Sequence, residues 1–101
     1  MWIFAMFDLP VRTREQRRTH SRFRKFLKQE GFGRIQLSVY ARHCPNEDQI
    51  NVHMAHVRKR LPEEGEVRML AVTDRQFGRM ESYFGSKRTP QEVPPTQLML
   101  F

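Results

Sequence analysis

Asp8 is the first carboxylate of the chain, and it closes a run of seven apolar residues, Met1 to Phe7, just ahead of Leu9 and Pro10. An acid at the end of an apolar strand stands where ligand-facing loops begin. The plainer reading is an Asx-type turn residue that leads into Leu9-Pro10. One carboxylate makes a poor metal site alone, but a twofold dimer would bring two copies of Asp8 face to face. Facing carboxylates repel unless one takes a proton or a cation enters between them. Magnesium is held by as few as one or two carboxylates, with waters and phosphate oxygens completing its shell. Against this, a strong two-metal nuclease carries more carboxylates than one per chain.

The second group is cationic. Arg14, Arg17, Arg18, Arg22, Lys25 and Lys28 recur at three- and four-residue steps, with Glu15 the sole acid before Glu30 along that stretch. On a helix they fall opposite Phe23, Phe26 and Leu27, so one face is apolar and the other basic. A charge run is ordinarily a solvated face of mixed sign. One this one-sided repels itself unless an anion lies on it, which points to phosphate contact. Arg12, Arg34 and Arg42 extend the set. The whole chain carries 18 Lys and Arg against 11 Asp and Glu, a net charge of +7, which also favours a polyanionic partner. No base-reading motif is present, so backbone and shape recognition are expected over sequence readout.

Weaker candidates complete the inventory. His53 and His56 stand three apart on an expected helix and are able to share a metal, but no Cys or carboxylate triad accompanies them in sequence. Ser38 and Tyr40 share a strand face and are placed to meet a phosphate or simply solvent. The single cysteine, Cys44, excludes an intrachain disulfide, fits a reducing cytoplasm, and reads as a small buried thiol before it reads as a nucleophile. Walker, dinucleotide-binding and triad patterns are lacking. No apolar run approaches the roughly 20 residues that span a bilayer, so no membrane role is expected, and the apolar start meets Asp8 and Pro10 too soon for a secretory leader.

The elements that must position these residues can be read in outline. Trp2 to Phe7 is a strand apolar on both faces, Trp2, Phe4 and Met6 on one and Ile3, Ala5 and Phe7 on the other. Thr13 and Gln16 form a capping-box signature for a helix from Arg14 to Glu30, with Gly31 at its C-terminal end. Gln36 to Tyr40 alternates as a strand. A second helix begins at Pro45-Asn46 and buries Ile50, Met54, Val57 and Leu61, with Pro62 as its stop. Val67 to Thr73 is a third strand, Thr73-Asp74 caps a turn, and Met80 to Phe84 is a short fourth strand closing the sheet in a hairpin with the third. The expected class is α+β, a ferredoxin-like sandwich with an antiparallel sheet and two helices on one face. That order needs two strands between the helices, so Phe32 to Cys44 either holds a hairpin or is one long strand. Two helices cover one sheet face, and the first strand is apolar on both, so a homodimer is expected to cover the other. Residues 1–88 are expected to form the domain, 89–96 an extended linker, and 97–101 a terminal strand exchanged onto the dimer mate.

Taken in order, MWIFAMFDLP, FRKFLKQEGF, QLSVY, VTDRQFGRM and QLMLF resemble the small CRISPR-associated adaptation protein, the second of the two near-universal ones, in the branch found beside type II systems. The resemblance implies a ferredoxin-like fold, a symmetric homodimer and a C-terminal strand added to the mate's sheet. It implies a complex with the CRISPR integrase subunit, in which the dimer bridges integrase dimers and holds protospacer duplex DNA. It also implies a magnesium-dependent (or manganese-dependent) endonuclease acting on RNA or DNA, with Asp8 as metal ligand and catalytic residue. Two readings therefore stand side by side: a scaffold with a phosphate-binding surface, and a metal-dependent phosphodiesterase acting on single-stranded RNA or on DNA. A bare RNA-recognition sheet is disfavoured, since Val67 to Val72 lacks the aromatic pattern that stacks bases.

Overall fold

The structure is a computed structural model and describes residues 1–90. The tail beyond them, which includes the expected terminal strand and most of the expected linker, lies outside the described residues. The elements run β1 (Trp2–Asp8), α1 (Arg14–Gln29), β2 (Gly33–Gln36), β3 (Val39–His43), α2 (Glu47–Arg58), β4 (Glu66–Val72), α3 (Asp74–Gly78), β5 (Ser82–Phe84) and β6 (Lys87–Thr89). β1 to β4 form one antiparallel sheet in the order β2-β3-β1-β4. With its two crossing helices, this is the ferredoxin-like arrangement.

β1 owes its central place to its composition. It pairs along its length with β3 on one side and β4 on the other, and both of its faces are apolar. Ile3, Ala5 and Phe7 point to the helices and pack with Phe23, Phe26 and Leu27 of α1 and with Ile50 and Val57 of α2. Each large side chain so buried contributes about 2 kcal/mol of transfer free energy. α1 starts as its sequence demands: the Thr13 hydroxyl accepts the Gln16 N–H at 3.0 Å, and the Gln16 side chain accepts the Thr13 N–H at 3.0 Å. It stops through a Schellman motif, in which Gly31 N–H donates to Lys28 O and Phe32 N–H to Leu27 O. Gly31 takes the left-handed φ of +92° that this motif needs, and buried Phe32 packs below it.

Four expectations need correction. Gln36 to Tyr40 is not one strand: the alternation runs through a tight turn at Leu37-Ser38, Ser38 adopts φ +69°, and β2 and β3 form a hairpin with a bulge. This settles the order in favour of two strands between the helices. Leu61 lies past the end of α2 and is 45% exposed, because α2 finishes at Arg58 with Lys59 as its cap. Met80 to Phe84 does not close the sheet; among the described residues β5 pairs with β6 alone, in a separate hairpin. Between β4 and β5 stands α3, begun by a second capping box, Thr73 with Gln76. Finally, the second sheet face is not wholly bare. Phe77 of α3 stacks on Trp2 with ring centroids 4.0 Å apart and planes 7° from parallel, and touches Phe4 at 5.8 Å.

Two outcomes follow. Trp2 is the sole tryptophan, so Phe77→Ala should uncover it and shift its fluorescence to longer wavelength, with a stability loss of about 3 kcal/mol in denaturant melts. An unshifted spectrum would show that α3 does not seat on Trp2. Gly65 has φ +86°, and a Cβ there would lie 2.5 Å from the Asp8 carbonyl oxygen. Gly65→Ala should cost about 2 kcal/mol, since it combines left-handed strain with a backbone clash.

Candidate functional site

Asp8 ends β1 on the face away from α1 and α2, where it is exposed. Three things fix its place. Gly65 approaches its carbonyl closely, Leu9 is buried directly after it, and the Phe7 N–H donates to Ser38 O at the hairpin tip at 3.1 Å. Its carboxylate makes no hydrogen bond or ion pair among the described residues. Glu66 of β4 lies opposite it in the strand register, and the Arg68 Nε–H donates to Glu66 Oε1 at 2.9 Å. Along the same face of β1, cover decreases outward: Trp2 is buried, Phe4 and Met6 are half-buried, Asp8 is exposed. Leu70 of β4, opposite Phe4, is 49% exposed.

The expected basic face is present. Arg14, Arg17, Arg18, Arg22, Lys25 and Lys28 are all exposed on α1, while Phe23, Phe26 and Leu27 are buried beneath it. Arg14, Arg18 and Arg22, each one turn from the next, line a shallow depression together with Glu15. None of the six is ion-paired within the described residues. Arg17 is partly engaged, because its Nη1 donates to Arg12 O at 3.0 Å and to Val11 O at 3.3 Å, which ties down the loop entering the helix. Arg12 is exposed in that loop, and Arg34 is exposed on the edge strand β2. Arg42 is different. It is half-buried on the helix side of the sheet, in register with Ile3, and its guanidinium lies so close over Gly31 that a Cβ there would overlap Nη1. It braces the end of α1 and does not extend the basic face.

Ser38 and Tyr40 do not form a phosphate contact pair. Tyr40 is 1% exposed and stacks with Phe7 in the core, and Ser38 sits in the hairpin turn. Cys44 is buried, and burial pushes its thiol above the ordinary range, as suits an inert side chain.

One grouping was not legible in sequence. Glu30, the C-cap of α1, meets both His53 and His56 of α2: its Oε2 lies 2.5 Å from His53 Nδ1 and 2.6 Å from His56 Nδ1. Burial pushes the Glu30 carboxyl up, but the two imidazole hydrogen bonds and their charge outweigh it and hold it below the ordinary range. The histidine spacing was visible; the acid stands 23 residues before His53, and only helix packing brings it in.

Comparison with known proteins adds the family. Residues 1–80 match the family model described as CRISPR associated protein Cas2. The chain is 48% identical over 101 residues to the "CRISPR-associated endoribonuclease Cas2" of Parvibaculum lavamentivorans, covering all of both chains. It is 42% identical to the protein of that name from Flavobacterium psychrophilum, over all of this chain and 88% of the relative. Against the one from Paracidovorax avenae it is 39% identical, over all of this chain and 94% of the relative. With a ferredoxin-like sheet, an exposed acid closing β1 and matches of this extent, the chain belongs to the CRISPR-associated Cas2 family.

Proposed function

We propose that this chain serves CRISPR spacer acquisition as a homodimeric subunit that grips duplex DNA through the basic face of α1 and bridges integrase dimers. The observation that carries this reading is the run of unpaired cations at Arg14, Arg18 and Arg22, backed by Lys25 and Lys28. Cations in the first turns of a helix work against its dipole, so they do not serve the helix itself. Phosphates laid along them would relieve that repulsion and release counterions. Among the described residues, the face bearing Phe4, Met6 and Leu70 is covered only at its α3 end, which supports a second copy packing over the remainder. Family membership supplies the CRISPR setting.

The relatives' name favours a second activity, endoribonuclease cleavage, and Asp8 is the residue assigned to it. The residues fit a magnesium ion: Asp8 is exposed and unengaged, Glu66 is its cross-strand neighbour, and each copy in a dimer adds the same pair. Magnesium, when bound there, supplies charge neutralisation at a phosphate and a water of lowered pKa. The chain's own part is to hold Asp8 at a fixed strand end, with β4 beside it and Gly65 packed against its backbone carbonyl. Manganese suits the same oxygen donors.

Charge reversal at Arg14, Arg18 and Arg22 should abolish spacer integration and lower the salt-dependence slope of duplex binding by about 3 for each chain in contact with the duplex. Asp8→Ala should leave integration and binding nearly intact. The reverse pattern would overturn the scaffold reading.

Cleavage of single-stranded RNA or DNA by purified protein should vanish in Asp8→Ala and in the presence of EDTA. Cleavage surviving Asp8→Ala would remove Asp8 from the reaction.

A further inference from the structure

The three side chains at the end of α1 and the middle of α2 have the composition of a transition-metal site. His53 and His56 lie one turn apart on α2, their rings 5.8 Å apart and close to perpendicular, and both turn Nδ1 to the same carboxylate oxygen of Glu30. The three donor atoms lie within 4.8 Å of one another. Glu30 does not reach them as a floppy surface acid. Its backbone is held as the α1 C-cap, with its N–H on Phe26 O at 2.9 Å and the Gly31–Phe32 Schellman turn directly after it. The side chains of His53 and Glu30 are each 14% exposed, and that of His56 is 50% exposed. The site is therefore preformed on its inner side and open to solution on its outer side.

We propose that Glu30, His53 and His56 bind a divalent transition-metal ion, zinc above all. Two imidazoles and one carboxylate with a vacant fourth position are a recognised zinc donor set. Nitrogen donors of this kind discriminate against magnesium, which prefers an all-oxygen shell, so the site is chemically distinct from Asp8 on the opposite face of the sheet. Donors around a tetrahedral zinc stand roughly 3.4 Å apart, given bonds of about 2.1 Å, so Glu30 withdraws by about 1 Å when the ion replaces the shared hydrogens. Its exposed side chain neighbour His56 provides the entry path, and a water completes the shell. A metal held here clasps the C-cap of α1 to α2, and thereby fixes the two helices that cover the inner face of the sheet. This inference is independent of the nucleic-acid and Asp8 readings.

Metal-free full-length protein titrated with Zn²⁺ in a calorimeter should take up one ion per chain at micromolar metal, and millimolar Mg²⁺ should not compete. Co²⁺ in place of zinc should show the visible absorption of a four-coordinate ion. His53→Gln, His56→Gln and Glu30→Gln should each weaken zinc uptake by about a hundredfold or more, while Asp8→Ala should bind as the wild type does. Zinc should raise the melting temperature of the wild type and of Asp8→Ala, and leave that of the three ligand variants unchanged. Far-ultraviolet circular dichroism of each metal-free variant establishes that it is folded before its uptake is read. Absence of uptake at micromolar zinc, or uptake indifferent to all three substitutions, would overturn the proposal; loss of uptake in Asp8→Ala alone would assign the ion to Asp8 instead.

Discussion

A strand that is apolar on both faces cannot lie at the edge of a molecule or against water, and β1 is such a strand. Its odd residues, Ile3 and Ala5, are wholly buried beneath α1 and α2, and its first even residue, Trp2, is buried beneath α3. The requirement for two covered faces forces β1 to the middle of the sheet, with β3 and β4 on its flanks. From this follows the position of Asp8. Cover on the outer face declines from Trp2 through Phe4 and Met6, and the chain places its first acid where cover ends.

The amount of this that sequence discloses varies from element to element for physical reasons. β1 and α1 were readable because each carries a strong period and a definite terminus: alternation on both faces in one, a capping box and a following glycine in the other. The β2–β3 hairpin was ambiguous because its turn carries none of the usual Asn-Gly or Asp-Gly signals; Ser38 adopts the left-handed φ instead, and the polar-apolar alternation passes unbroken through Leu37. Leu61 kept the helical spacing of α2 after the helix had ended, so periodicity alone overextended the buried face. α3 was under-read. Thr73 and Gln76 repeat the cap of α1, yet five residues are too short for a period to register.

The site divides in the same manner. The basic face of α1 was legible because every member lies on one helix, where spacing translates directly into direction. Arg42 stands apart from that face because a strand residue's neighbours depend on which side of the sheet it faces, and its register with Ile3 turns it toward Gly31. The Glu30–His53–His56 group depends on the crossing of two helices, which nothing in a single sequence encodes locally. Asp8 occupies a middle position: its exposure follows from the pattern of β1, but its neighbour Glu66 follows only from pairing with β4.

α1 joins these parts mechanically. Its inner stripe is fixed in the core, its outer stripe carries unneutralised charge, and its C-cap hands a carboxylate to α2. Crowding seven cations, Arg24 among them, on sixteen residues raises the free energy of the helix by mutual repulsion, and Arg14 and Arg17 add to it by standing at the positive end of the dipole. Compensation comes from the two ends: the Thr13–Gln16 box with the Arg17 clasp on Val11 and Arg12 carbonyls, and the Schellman turn with Glu30 gripped by two histidines. A helix secured at both ends and along its buried stripe can carry a charged outer face that its own propensity would not sustain. The backbone beneath the basic surface is thus held by the fold itself, so a ligand that met those cations would not also have to order the helix that carries them.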